Sequence, residues 1–253
     1  MAETCKGKVA LVTGGGSGIG RASAVALARE GAQVLIADLN LAACKDTVSQ
    51  IEAGGGEALA WQVDVSDETG VESMVQKTVD HFGRLDLAFN NASIGGGMGK
   101  TADYDTATWN QVIAVNLTGV WFCMKYELRQ MMAQGNGVIV NTASVAGLVG
   151  MSHAPAYCAA KHGVVGLTKN AAMEYAKSNI RVNAVCPGGV HTNMTEAAEK
   201  EIPGFLDKLA KHEPMGRLAE PEEIASAVVW LCSDGASFMT GHALAVDGGF
   251  VAR

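Results

Sequence analysis

A doubly wound α/β fold, a parallel seven-stranded sheet flanked by helices, is the architecture this sequence predicts. Seven short apolar runs recur along 253 residues, separated by amphipathic stretches of helical length. Most of the runs are continuous in hydrophobicity rather than alternating, as expected of strands covered on both faces. Strand–helix alternation with short connections then implies parallel pairing through right-handed crossovers.

The first run spans 8–13 and passes through a glycine-rich turn into a helix near 18–30. A strand at 33–37 leads to a helix at 41–53, one at 58–63 to a helix at 67–82, and one at 85–89 to a long helical stretch at 106–133. A strand at 137–142 precedes a helix at 155–178, and one at 181–186 is followed by a helix at 221–232 and a last strand at 243–246. The helix at 221 has a marked start: Glu220, then Pro221 in the first turn, with Glu222 and Glu223 at the positive helix end. The segment 191–211 breaks the alternation. It is charge-rich and holds Met194, Ala198, Ile202, Leu206 and Leu209 near helical spacing, divided by Pro203. An insertion after a strand's carboxyl end belongs over the ligand crevice of such a sheet, so a lid is expected at about 191–213. A surface helix pair packed for stability is the alternative. No linker, repeat or low-complexity tract divides the chain, which predicts one domain over 1–253.

Hydrophobic residues make up 48% and charged residues 18%, enough for a large core and too few charges for a disordered tail. The net charge of −7 gives no support to a nucleic-acid or anionic-membrane surface. The apolar run at 9–12 is too short for a signal-peptide core, and Asn116 and Lys125 interrupt the stretch from 112, so a cytoplasmic protein is expected. Cys5, Cys44, Cys123, Cys158, Cys186 and Cys232 form no Cys-x-x-Cys pair and read as buried small hydrophobes. No His/Cys/carboxylate cluster has metal-ligand spacing, so no metal is expected.

Thr13-Gly14-Gly15-Gly16-Ser17-Gly18-Ile19-Gly20 joins the first strand to the first helix. Glycines there permit positive φ and let backbone N–H groups approach phosphate oxygens, while the helix offers its positive end to a pyrophosphate. The spacing is T-G-x-x-x-G-x-G rather than G-x-G-x-x-G. Asp38 ends the second strand eighteen residues beyond Gly20, where a dinucleotide fold places its ribose-binding acid. A carboxylate there accepts from the ribose hydroxyls of NAD and repels a 2′-phosphate by roughly 4 kcal/mol per unit charge at contact. No Arg or Lys follows at Leu39 or Asn40, and none lies at 15–17, so NAD is the expected cofactor. Asp64 and Val65 after the third strand, and Asn90, Asn91 and Ala92 after the fourth, lie where adenine and the adjoining ribose are expected.

Tyr157-Cys158-Ala159-Ala160-Lys161 sits early in a helix, and a spacing of four puts phenol and ammonium on one face. A free tyrosine, with a pKa of about 10, is a poor base near neutrality, and a nearby cation stabilises its phenolate. Such a phenol takes an alcohol proton or returns one to a reduced carbonyl. Ser144, thirteen residues before Tyr157, can hold a substrate oxygen or simply cap a turn. Asn116 is unfavourable in mid-helix, and a buried amide there implies a helix distortion or a water chain.

Taken in order, these pieces resemble the short-chain dehydrogenase/reductase family, in its branch of roughly 250 residues. The likeness covers nearly the whole chain, through Pro187-Gly188 with Thr192 and Asp247-Gly248-Gly249. It implies a Rossmann-type domain with Tyr157 as acid/base, Ser144 orienting the substrate oxygen and Lys161 on the nicotinamide ribose. It implies further that Asn116 helps hold a water linking Lys161 to solvent, and that Val190 and Thr192 contact the nicotinamide carboxamide. The cofactor contacts would be Gly14, Ser17, Gly18, Ile19, Gly20, Asp38, Leu39, Asp64, Val65, Asn90, Ala92, Tyr157, Lys161, Pro187, Gly188, Val190 and Thr192. One position departs: the family usually has glycine where this chain has Ser93, which predicts an altered path for 93–99.

The segments expected to line the substrate cleft offer Ile94, Met98, Val145, Leu148, Val149, Met151 and Met194, with His153 the polar exception. Such a lining suits a bulky apolar secondary alcohol or ketone better than a sugar, unless several of these side chains point into the core. A 3-oxoacyl-thioester reductase and a sugar or polyol dehydrogenase are alternatives within the same chemistry. A lyase or epimerase, or a non-catalytic NAD-binding module, are alternatives outside it. Small residues on the helix around Tyr157 allow close approach either of the sheet or of another subunit, and the family likeness implies a homotetramer, paired through the helices near 106–133 and 155–178 and through the C-terminal strand and helix.

Overall fold

The computed structural model describes residues 4–252; positions 1–3 and 253 of the expected domain lie outside them. Strands β1 (Val9–Thr13), β2 (Gln33–Asp38), β3 (Ala58–Gln62), β4 (Leu87–Asn90), β5 (Gly137–Thr142), β6 (Ile180–Pro187) and β7 (Ala243–Val246) form one sheet. Their order is β3-β2-β1-β4-β5-β6-β7, and every pairing is parallel. The strand order reverses between β1 and β4, which opens a crevice at their carboxyl ends.

Helices α1 (Gly18–Arg29), α2 (Leu41–Ala53) and α9 (Pro221–Cys232) cover one face of the sheet. Helices α3 (Glu68–Phe82), α5 (Gly119–Gln134) and α6 (Pro155–Tyr175) cover the other. Val12, Val34 and Ile36 meet Leu27, Ile51 and Val228 on the first side, whereas Leu11, Leu35 and Ile139 meet Met74, Val120 and Val164 on the second. Burial on both faces explains the unalternating strands. Five cysteines are buried and Cys158 is half-buried, in keeping with their reading as small hydrophobes.

The stretch 106–133 is not one helix. It divides into α4 (Thr106–Ile113), a single π turn over Ala114–Thr118 and α5, with Asn116 inside the turn. The distortion expected from a buried amide is therefore real, and the extra residue re-aims that side chain. The segment at 191–213 forms α7 (Asn193–Glu201) and α8 (Phe205–His212), broken at Pro203–Gly204, with Thr192 capping α7. Among the described residues no helix is long and apolar enough to cross a membrane.

Candidate active site

The glycine loop leaves β1 and turns into α1 by backbone means. Gly14 and Gly18 have φ of 62° and 49°, in the left-handed region. A Cβ on Gly20 would lie 2.0 Å from the Gly14 carbonyl oxygen, so the helix packs against the loop at a distance that only hydrogen allows. Ser17 makes no side-chain cap and the first turn of α1 holds no acid, so the first amides of the helix face the crevice uncommitted to the protein's own anions. Asp38 closes the far side. Its Oδ2 accepts from the Gly16 amide at 3.1 Å and its Oδ1 from the Asn40 amide at 3.0 Å, while Leu39 beside it is exposed. Arg21 turns its guanidinium onto the Gly16 carbonyl and the Thr47 hydroxyl.

Thr13 and Asn91, at the edges of two motifs, hold this loop in place. The Thr13 hydroxyl accepts from the amides of Asn91 and Ala92 at 3.0 and 3.2 Å, and Asn91 Nδ2 donates to the Thr13 and Gly14 carbonyls. Thr142 at the end of β5 donates to Asn91 Oδ1. Three strand ends are thereby tied together, a link invisible in sequence because the partners lie 51 to 79 positions apart. Asn90 behaves otherwise. Its side chain turns into the core, where Nδ2 donates to Glu127 and Asn141, so only its backbone is available to a ligand. Asp64 spends Oδ1 on the amide and hydroxyl of Ser66, and Val65 is buried against α5.

The opposite rim comes from β6. Pro187 ends the strand, the Gly188 amide donates to the Val246 carbonyl, and Val190 is buried. Thr192 then reaches across: a Cβ on Gly18 would lie 3.2 Å from its Cγ2. The segment 187–192 and the glycine loop thus face each other over one crevice, as the sequence reading required. Beyond Thr192, Met194 of α7 comes to the loop after β4, within 3.8 Å of a Cβ built on Gly95.

Tyr157 and Lys161 lie two and six residues into α6, whose start Pro155 sets. Both are buried. Lys161 Nζ lies 5.4 Å from the centre of the Tyr157 ring and donates to the Thr142 carbonyl at 2.8 Å. Burial lowers the Lys161 pKa to about 8 and raises that of Tyr157. The hydroxyls of Ser144 and Ser93 oppose the rise at Tyr157. The groups that favour the phenolate are thus two hydroxyls rather than the expected cation, and sequence reasoning had noticed one of them only as a missing glycine. Ser144 Oγ accepts from the Ala146 amide at 3.1 Å, which directs its own proton outward. Asn116 ties its side chain to the loop after β4: Oδ1 accepts from the Ile94 amide and Nδ2 donates to the Ile94 carbonyl, both at 2.8 Å.

Of the expected lining, Val145 is buried and Leu148 packs on the core, so these two serve stability. Met98, Val149 and Met194 are substantially exposed, and Ile94 is half-buried beside Val112 and Tyr104. Tyr104 holds the loop by donating from its hydroxyl to the Gly96 carbonyl.

A family profile described as Enoyl-(Acyl carrier protein) reductase matches residues 14–251. A cyclohexanol dehydrogenase of Acinetobacter sp. (strain SE19) is 44% identical over 253 residues, covering 100% of this chain and 98% of the relative. The chain belongs to the short-chain dehydrogenase/reductase family. The crystal structure of levodione reductase superposes with a TM-score of 0.95 at 40% identity, covering 98% of this chain and 99% of that one. A structure described as a putative 2-deoxy-d-gluconate 3-dehydrogenase from Agrobacterium tumefaciens, with bound NADP, gives 0.90 at 36% identity, covering 100% and 99%. This member of the family is an oxidoreductase acting between alcohol and ketone carbons of small molecules, and its cofactor is a nicotinamide dinucleotide.

Proposed function

We propose that this protein is an NAD-dependent dehydrogenase of bulky, apolar secondary alcohols, with ring alcohols such as those named for the cyclohexanol and levodione relatives as the favoured class. The observation that carries the cofactor choice is Asp38, a carboxylate held by the Gly16 and Asn40 amides at the end of β2, with Arg21 engaged by the Gly16 carbonyl and Thr47. A 2′-phosphate placed there meets a fixed negative charge, and the ribose hydroxyls of NAD meet an acceptor. Exposed Met98, Val149 and Met194 around the mouth support the apolar substrate, since adaptable side chains offer few partners to a polyol.

The cradle formed by Gly14, Ser17, Gly18, Ile19 and Gly20 fits a pyrophosphate, with Asp64, Val65, the Asn90 backbone and Ala92 towards adenine and Pro187, Gly188, Val190 and Thr192 towards the nicotinamide. Bound there, the dinucleotide supplies the hydride acceptor or donor. The protein's own part is proton transfer and positioning. Tyr157 Oη takes the substrate's hydroxyl proton in oxidation and returns it in reduction. Ser144 directs its hydroxyl proton to the same oxygen pair, and Lys161 presents a buried cation behind the phenol. Asn116 fixes the loop after β4 through Ile94. Helices α7 and α8 serve as the lid over the cleft, with Met194 reaching the loop at Gly95. Exposed Trp121 and Met132 on α5 and Met173 on α6 support assembly as a homotetramer, and the protein works in the cytoplasm.

The test is turnover with NAD and with NADP across ring, aryl and aliphatic secondary alcohols and free sugars, with Tyr157→Phe in parallel. NAD-dependent oxidation of the ring alcohols is expected, reduced by about 10²–10⁴ in the variant. Equal or better use of NADP overturns the cofactor assignment, and preference for a sugar overturns the substrate class.

A further inference from the structure

We propose that Ser93 is a positioning residue of the proton-transfer step, donating a second hydrogen bond, beside that of Ser144, to the phenolic oxygen of Tyr157. This inference rests on the reading of Tyr157 as the acid/base.

Ser93 lies just beyond β4 between two clamps. On one side the Asn91 and Ala92 amides donate to Thr13 Oγ1, and on the other Ile94 is held through both its amide and its carbonyl by Asn116. The backbone that carries Ser93 is therefore held from both directions. The Ser93 Oγ is sealed from solvent and has no hydrogen-bond partner among the described residues, the Tyr157 phenol included. A buried hydroxyl in that condition is costly unless it has a function. The Tyr157 phenol is near enough for the Ser93 hydroxyl, with that of Ser144, to oppose the rise in its pKa that burial causes.

Chemistry favours a donor at this place. A phenolate oxygen accepts more than one hydrogen bond, and Ser144 supplies a proton because its own oxygen already accepts from Ala146. Ser93 approaches from the β4 loop and Ser144 from the β5 loop, so the two donors belong to different segments. The other titratable groups nearby do not do the same work. Cys158, on the same helix, opposes ionisation of the phenol. Lys161 directs its Nζ to the Thr142 carbonyl, and Cys186 of β6 acts on Lys161 rather than on the tyrosine. No carboxylate contributes to the phenol's environment. With burial pressing the phenol towards neutrality, each donor aimed at its oxygen bears directly on how much base is present at a given pH.

The experiment compares the full-length protein with Ser93→Ala, Ser93→Thr and Tyr157→Phe. Two readouts are taken: kcat/KM for alcohol oxidation against pH, and the ultraviolet titration of the phenol in the protein without cofactor, with the Tyr157→Phe curve subtracted. In Ser93→Ala the apparent pKa moves up by about one unit, so oxidation falls about tenfold on the acidic side and approaches wild type at high pH. Ser93→Thr, which keeps the hydroxyl, restores the wild-type profile. An unshifted titration, or a rate lowered by the same factor at every pH, overturns the proposal by showing a space-filling serine. Should Ser93→Ala fail to fold, Ser93→Gly carries the same expectations. Persistent activity in Tyr157→Phe defeats the underlying acid/base reading instead, whereas an inactive Tyr157→Phe with an unshifted Ser93→Ala defeats only the role of Ser93.

Discussion

The two walls of the cleft are built by opposite means. The wall from β1 and β2 is made of backbone: glycines with positive φ, the open first amides of α1 and a single carboxylate, Asp38, that is itself held by amides. The wall from β4, β5 and α6 is made of side chains, in which Lys161 and Tyr157 have pKa values displaced by burial, as does Glu127 of α5 in the core behind them. The first wall tolerates no added volume, because its function is close approach. The second tolerates modest changes of volume but not of protonation, because its function is to hold a proton at a chosen atom. The contrast predicts that substitutions will fail in different observables on the two sides.

The largest effect is expected from Gly20→Ala. Its Cβ would meet the Gly14 carbonyl oxygen at 2.0 Å and Asn91 Nδ2 at 2.7 Å, and the oxygen belongs to backbone that Asn91 already restrains. Helix α1 must shift, at a cost of about 3 kcal/mol, and the phosphate cradle shifts with it. A lower thermal midpoint together with weakened cofactor binding by calorimetry is the expected result. Tyr157→Phe, by contrast, is expected to leave cofactor binding nearly unchanged while removing turnover. A Gly20→Ala protein with normal stability and binding would break the distinction between the walls.

Next in size is Asp38→Ser, which tests whether one charge on the backbone wall sets cofactor choice. Serine keeps an acceptor for the ribose but loses the repulsion of a 2′-phosphate. With the charge partly screened by solvent, the discrimination is worth about 2–3 kcal/mol, so the ratio of kcat/KM for NAD over NADP is expected to fall roughly 100-fold. A ratio unchanged in the variant would place the discrimination elsewhere, with Arg21 the first residue to examine.

The difference between the walls also explains what sequence could show. The backbone wall was legible because glycine spacing is itself the geometry: Gly14, Gly18 and Gly20 are placed where the chain must turn and pack. All seven strands and the split at Pro203 were legible for the related reason that period and punctuation are local. The side-chain wall was legible only as residue types. Tyr157 and Lys161 share a helix and so announce their proximity, but Ser93 and Ser144 converge on the phenol from separate loops. The turn of Asn116 towards Ile94 depends on a π turn that no local pattern dictates, although its mid-helix asparagine hinted at a distortion. Asn90 illustrates the same limit. It ends β4, as the pattern of the chain suggests, but its side chain answers to Glu127 and Asn141, which lie 37 and 51 residues further on.

The smallest of the three effects comes from that hidden cluster, and it separates the walls by pH alone. Asn90 Nδ2 donates to Glu127 at 2.9 Å and to Asn141 at 3.0 Å, and Asn141 Nδ2 continues to Thr168, so β4, β5, α5 and α6 share one polar thread through the core. Glu127 is fully buried, its Oε1 has no partner, and no cation balances it; burial pushes its pKa up to about 8, against a smaller lowering by Asn90. The folded protein therefore keeps this proton where the unfolded chain, with a glutamate pKa of about 4.3, has released it. Below both values the two states are protonated alike. Between them the unfolded state binds fewer protons, so stability falls as pH rises, by at most about 1.4 kcal/mol per pH unit, and levels off above about 8. Glu127→Gln cannot ionise and removes that slope. Denaturant unfolding is expected to show the variant gaining on wild type by about 1–2 kcal/mol between about pH 5 and pH 7, with cofactor binding unaltered. A gap that narrows or reverses over that interval would mean the network holds a carboxylate rather than an acid, and the side-chain wall would then be built to stabilise charge rather than to retain protons.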